Sequence, residues 1–135
     1  MKYFSVALLL GLAGCSYTPS DTVITSLSKE FDLHAGQQAT IGSEHFSITF
    51  LNVVEDSRCP DNARCIWAGN GEIAVRVNYV RLAPLDTTLN TYLQPHSVSF
   101  GYFTIELLKL SPYPHAPTTI DPDDYVATLK VVKNE

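Results

Sequence analysis

Three cysteines, Cys15, Cys59 and Cys65, and four histidines, His34, His45, His96 and His115, are the side chains of this 135-residue chain best suited to redox, nucleophilic or metal chemistry. Their spacing argues against most of it. Cys59 and Cys65 do not form the Cys-x-x-Cys pattern of a thiol–disulfide oxidoreductase. No second Cys/His pair stands at zinc-ligand spacing. The histidines are scattered, mostly at expected turns, and none is two residues from another histidine or from a cysteine. Asp121-Pro122-Asp123-Asp124 has carboxylates for calcium but lacks the glycine and closing glutamate of a calcium loop, so it reads as a turn ahead of a strand. Neither Gly-x-Ser-x-Gly nor His-Glu-x-x-His occurs. A carboxylate pair such as Glu55 and Asp56 is adjacent on a strand, which sends the two groups to opposite faces. The expectation is a protein that is not an enzyme and uses no metal and no cofactor.

The chain opens with the layout of a secretory signal. Lys2 is a positive n-region, and Tyr3 to Leu12 is an apolar stretch too short to span a bilayer, which takes roughly 20 residues. Leu12-Ala13-Gly14-Cys15 then resembles the lipobox of bacterial lipoproteins. The resemblance implies cleavage of signal peptide 1–14 before Cys15 and acylation of that cysteine, which is therefore the expected lipidation site and the link to the lipid bilayer. Each buried methylene is worth about 0.8 kcal/mol, and two or more chains hold stably. Ser16, rather than Asp, follows the cysteine. By resemblance to Gram-negative lipoproteins this favours the outer membrane, with the domain in the periplasm or at the cell surface. With Cys15 assigned to lipid, Cys59 and Cys65 remain as a pair in an oxidising compartment, where a disulfide is the default. Closing that short ring is worth about 2.4 kcal/mol in the chain-entropy account.

The stretch from Glu55 to Gly71 holds both of these cysteines, the only tryptophan, two arginines and two glycines. Asp56-Ser57-Arg58-Cys59-Pro60 followed by Cys65-Ile66-Trp67-Ala68-Gly69 resembles a motif of small, uncharacterised secreted bacterial proteins and lipoproteins. The resemblance extends from Phe31 through Ser111-Pro112-Tyr113-Pro114 to Asp124-Tyr125, and it implies a fold and a compartment but no activity. Two readings of the residues stay open. In the first, Asp56 caps the turn, Arg58 pairs with Asp56 or bonds loop carbonyls, Trp67 plugs one end of the sheet against the disulfide, and Gly69 and Gly71 supply positive φ. In the second, the disulfide stiffens a projecting loop on which Arg58, Arg64 and Trp67 anchor a partner.

The elements that must position this loop are strands. Phe31–Leu33, Gln38–Ile41, Phe46–Val54, Glu72–Val80, Thr87–Leu93, Val98–Phe100, Tyr102–Leu110 and Tyr125–Val132 show apolar residues at period two or a β-rich composition. Phe46, Ile48, Phe50 and Val54 share one face, as do Ile73, Val75, Val77 and Tyr79; Phe103, Ile105 and Leu107; and Tyr125, Ala127, Leu129 and Val131. Leu89 and Leu93 share a face of the fifth. Ala83-Pro84-Leu85-Asp86 reads as a turn. Three prolines exclude Ser111–Pro117 from a central strand and make it an extended surface loop. No convincing 3.6-residue period of ten or more residues occurs outside the leader. The expected fold is an all-β antiparallel β-sandwich or small barrel of about six to eight strands, organised as signal 1–14, lipidated cysteine and flexible tether 15–30, and a single β domain 31–135.

The formal net charge is −5, and removing Lys2 with the leader leaves eight basic against fourteen acidic residues, −6. No nucleic-acid partner is expected, because phosphate binding needs a basic stripe. Electrostatic docking on an anionic membrane is disfavoured for the same reason. The function expected is a membrane-anchored envelope lipoprotein acting as a binding module for another envelope protein or ligand, with an exposed Arg58/Arg64/Trp67 surface. A small secreted protease inhibitor is the alternative, since a stiff loop can occupy a protease cleft. An enzyme or metal binder would need histidines and carboxylates that converge only on folding.

Overall fold

A computed structural model describes residues 21–135. The signal 1–14 and the lipidation site Cys15 lie outside the described residues. Nine strands run β1 (Thr22–Ile24), β2 (Glu30–His34), β3 (Gln38–Ile41), β4 (Phe46–Asp56), β5 (Gly71–Tyr79), β6 (Leu82–Asn90), β7 (Ser97–Phe100), β8 (Phe103–Ser111) and β9 (Val126–Lys133). One sheet has the order β1-β3-β4-β5-β6 and the other β2-β9-β8-β7. All pairs are antiparallel except β1 with β3. Of the two expected architectures, the β-sandwich forms and the barrel does not: each long strand carries apolar residues on one face, and the faces of two separate sheets cover each other.

The shared core is built from the predicted stripes. Phe46, Ile48 and Phe50 of β4, Ile73, Val75 and Val77 of β5, Phe103 and Ile105 of β8, and Ala127, Leu129 and Val131 of β9 are all buried. Phe46 and Phe103 meet across the sandwich with ring centroids 4.6 Å apart, and the half-buried Tyr79 adds an edge-on contact to Phe103 at 5.2 Å.

The departures from the sequence reading each have a local cause. Pairing of β4 with β5 shifts register between Phe50 and Asn52 and again between Val53 and Glu55. These bulges turn Val53 toward the core and leave Val54, expected to face inward, 55% exposed. The turn expected at Ala83–Asp86 lies inside β6, and the chain reverses instead at Val80-Arg81. Pro84 is tolerated there because β6 is an edge strand with no partner on its outer side. That strand ends at Asn90, so Leu93 is exposed rather than aligned with Leu89. The one strand not expected, β1, and the start of β2 occupy part of the expected tether 15–30. Thr22, Val23 and Ile24 align with Gln38, Ala39 and Thr40, Val23 and Leu27 pack on the core, and the Ser28 amide donates to the Val131 carbonyl at 2.8 Å. Alternation over three residues is too short to show in sequence, so the domain starts earlier than Phe31.

Candidate functional site

β4 delivers Asp56 and β5 starts at Gly71, so residues 57–70 form one long connection at one end of the sandwich. The β6–β7 loop and the proline-rich β8–β9 loop converge on the same end. Cys59 and Cys65 form the expected disulfide, with Cα atoms 5.9 Å apart. The loop they close is tied to the proline-rich loop. The Asp61 amide donates to the Pro114 carbonyl at 2.9 Å, the Asn62 amide group bonds both the carbonyl and the N–H of Ala116, and the Asp61 carboxylate lies 2.6 Å from Nδ1 of His115.

Arg58 lies beneath this connection and is 7% exposed. Its Nε and one terminal nitrogen donate to the two oxygens of Asp56 at 2.7 and 2.6 Å, a bidentate fork. Its terminal nitrogens also donate to the carbonyls of Leu110 at 2.6 Å and Pro112 at 2.9 Å. The Tyr125 hydroxyl donates to the second Asp56 oxygen at 2.9 Å, and the guanidinium carbon stands 5.1 Å from the Tyr113 ring centre. The Asp56–Arg58 pair thus joins the end of β4, the end of β8 and the proline-rich loop and, through Asp56, the residue just before β9. The role fits arginine, whose planar fork reaches carboxylate and carbonyls together. Burial opposes charge on Asp56, but the hydrogen bonds from Arg58 and Tyr125 and the Arg58 charge outweigh it and hold the carboxyl below its ordinary range. Burial, with the hydrogen bond and charge of Asp56, pushes the Tyr125 hydroxyl up to about 12. The acid, the phenol and the cation are spent on one another.

A second buried knot lies beside the first. Oδ1 of Asn70 accepts from the amides of Tyr92 and Leu93 at 3.1 Å each, and its Nδ2 donates to Oδ1 of Asn90 at 2.8 Å. Ser57 and Asn70 are paired through the Ser57 amide and hydroxyl. Gly69 has φ +71°, and a Cβ there would collide with the Ser57 carbonyl and lie 2.7 Å from the Arg58 Cα. Gly71 lies in β5 without positive φ, contrary to expectation. Its lack of a side chain makes room for Leu110, whose methyl would stand 2.9 Å from a Cβ.

The three expected anchor residues separate. Arg58 is internal, which corrects its place on an exposed partner surface: the hydrogen-bonding groups gathered at the loop base consume it. Arg64 is exposed and makes no ion pair among the described residues. Trp67 is 62% exposed and plugs nothing, because the space under the loop is already filled by Arg58, Asp56 and Tyr125. Around them stand apolar side chains, of which strand periodicity singles out only Leu93, and that for the wrong face. Ile66 is 98% exposed, Tyr92 61%, Leu93 55% and Tyr113 55%. Tyr92 and Tyr113 line a cleft of about 270 Å³ whose walls also include Gly69, Thr91 and Leu110. Tyr125 is buried on its expected face but also reaches Asp56, and the pairing of Asn70 with Asn90 has no counterpart in strand periodicity. A lone asparagine between two glycines at a strand start was the one available signal for Asn70.

His34, His45, His96 and His115 remain on different elements, and among the described residues no group of three or more His, Cys, Asp or Glu is placed to hold a metal. Asp121–Asp124 forms a turn, in which Oδ1 of Asp121 accepts from the Asp123 amide at 3.0 Å. No protein-family model, curated protein or solved structure matches the chain.

Proposed function

We propose that this chain is a lipid-anchored envelope protein that works as a non-enzymatic binding module, with the disulfide-stapled end of the sandwich as its contact face. The observation that carries the reading is the composition of that end. Ile66, Trp67, Tyr92, Leu93 and Tyr113 stand in solvent on three loops, while the polar groups beneath them are satisfied internally. Exposed apolar side chains gathered on one rigid surface mark an interaction site. Locking the loops before contact reduces the entropy lost on binding. The leader and lipobox supply the envelope location.

Photo-crosslinking in cells tests this reading. A crosslinker at position 66 is expected to capture another molecule, and one at position 80, at the opposite end, is not. Capture from both positions equally, or from position 80 alone, would refute the assignment of the face.

A further inference from the structure

We propose that the stapled end docks on the surface of the bilayer that holds the chain's own anchor, with Ile66, Trp67 and Leu93 entering the phospholipid interface and Tyr92 and Tyr113 at its edge. This rests on the lipid-anchor reading above and names the occupant of the same face.

Chain geometry carries the first part of the inference. β1 runs parallel to β3, whose partner β4 runs the other way, toward the stapled end. The chain therefore enters β1 from the stapled-end side. Thr22 aligns with Gln38 and through it with Thr49, seven residues before Asp56 on β4. At about 3.3 Å per residue, the stapled end lies about 23 Å from the level of Thr22. Cys15 is also seven residues before Thr22, a separation that spans at most about 25 Å. A tether extended in the direction from which β1 is entered would thus bring an acylated Cys15, and the bilayer with it, to the level of the stapled end.

Side-chain chemistry carries the second part. Tryptophan and tyrosine settle at a membrane–water boundary with apolar bodies inward and polar tips at the headgroups, and the wholly apolar isoleucine and leucine beside them can enter it. Their backbones are pinned by Arg58, Asn70 and the disulfide, so insertion orders little that is not ordered already. Arg64 and Lys109 are exposed at this end, but so are Glu55, Asp121, Asp123 and Asp124. The face has no basic excess. Docking on phospholipid is therefore apolar and insensitive to salt, and a zwitterionic surface suits it better than an anionic one. Five side chains alone hold weakly; the anchor makes the contact intramolecular and raises its occupancy.

Trp67, the only tryptophan, is a natural reporter of this contact. The full chain is purified from membranes, its Cys15 acylation is read by mass spectrometry, and it is reconstituted into phosphatidylcholine vesicles with brominated acyl chains. Trp67 fluorescence is expected to be blue-shifted and quenched relative to unbrominated vesicles, equally at low and high salt. Ile66→Ser and Leu93→Ser, both at exposed positions, should reduce the quenching without altering the fold. A Trp67→Phe, Val80→Trp double substitution moves the reporter to the far end and should remove it. Unquenched Trp67 in a chain of confirmed acylation overturns the docking and leaves the face to a protein or glycan partner, with the anchor intact. A Cys15 peptide without acyl mass removes the anchor reading instead. The same vesicles in excess over the unacylated chain then decide: quenching keeps the docking, and its absence overturns it.

Discussion

Replacing Arg58 by alanine should remove more stability than any other single change at the stapled end. The substitution deletes four side-chain hydrogen bonds, to both oxygens of Asp56 and to the carbonyls of Leu110 and Pro112. It leaves Asp56, whose side chain is 9% exposed, with only the Tyr125 hydroxyl as a side-chain partner. Breaking a buried pair by removing one member costs about 3–5 kcal/mol, chiefly because a charge is left without compensation. With a urea slope of about 2 kcal/mol/M for a domain of this size, the unfolding midpoint falls by about 2 M. Arg58→Lys should recover only part of the loss, since an ammonium cannot fork onto a carboxylate and reach two carbonyls. The pH dependence separates a charge effect from simple loss of packing. In the native protein the Asp56 pKa is depressed, so its contribution is present above the unfolded value of 3.8 and fades as pH falls through the folded value. In Arg58→Ala the Arg58 hydrogen bonds and charge that lower the Asp56 pKa are gone, so its depression shrinks. The variant therefore loses less on acidification than the parent, and the gap between them narrows toward pH 3. Far-UV circular dichroism is the readout, because Trp67 is exposed and reports weakly on the core. A loss under about 1 kcal/mol at pH 7, or a gap that stays constant with pH, would show that the Asp56–Arg58 pair does not hold the loops together.

Tyr125 should be among the last tyrosines to ionise, near pH 12, in a spectrophotometric titration, and stability should fall as pH rises from about 10 toward 12 because the folded state holds that proton more tightly. Tyr125→Phe should cost about 1–2 kcal/mol and abolish that late step; a late step that persists would assign it to another tyrosine. Gly69→Ala should destabilise by more than about 2 kcal/mol in urea unfolding, because both its positive φ and the Ser57 carbonyl oppose a Cβ, whereas Gly36→Ala, at φ +86° but with open space around it, should cost less. Equal losses would mean that backbone conformation alone, and not the close approach to residues 57–59, requires glycine at position 69.

Periodicity in the sequence was enough to determine an all-β antiparallel fold and most of its core, while the choice of sandwich over small barrel came from the strand order. Strict alternation over Ile73–Tyr79 and Tyr125–Val131 leaves only one face to bury, which a sandwich or a closed barrel satisfies equally. The cysteine pairing was legible for a different reason: with Cys15 assigned to the lipobox, only one partner remained for each of the other two. Three kinds of information were not local and had to come from the folded chain. Bulges in β4 reversed Val53 and Val54, because register depends on the partner strand as well as on the strand itself. β1 joins a sheet only where β3 offers it an edge. At the stapled end the sequence leaves two readings open, Arg58 and Trp67 packed at the loop base or exposed with Arg64 as anchors, and each proves right for a different residue. Tertiary structure separates them: the carbonyls of Leu110 and Pro112, more than fifty residues away, draw Arg58 inward, and that buried cation occupies the space Trp67 would have filled. Composition and spacing thus determine which residues can be buried, whereas the groups brought in from distant segments decide which of them are.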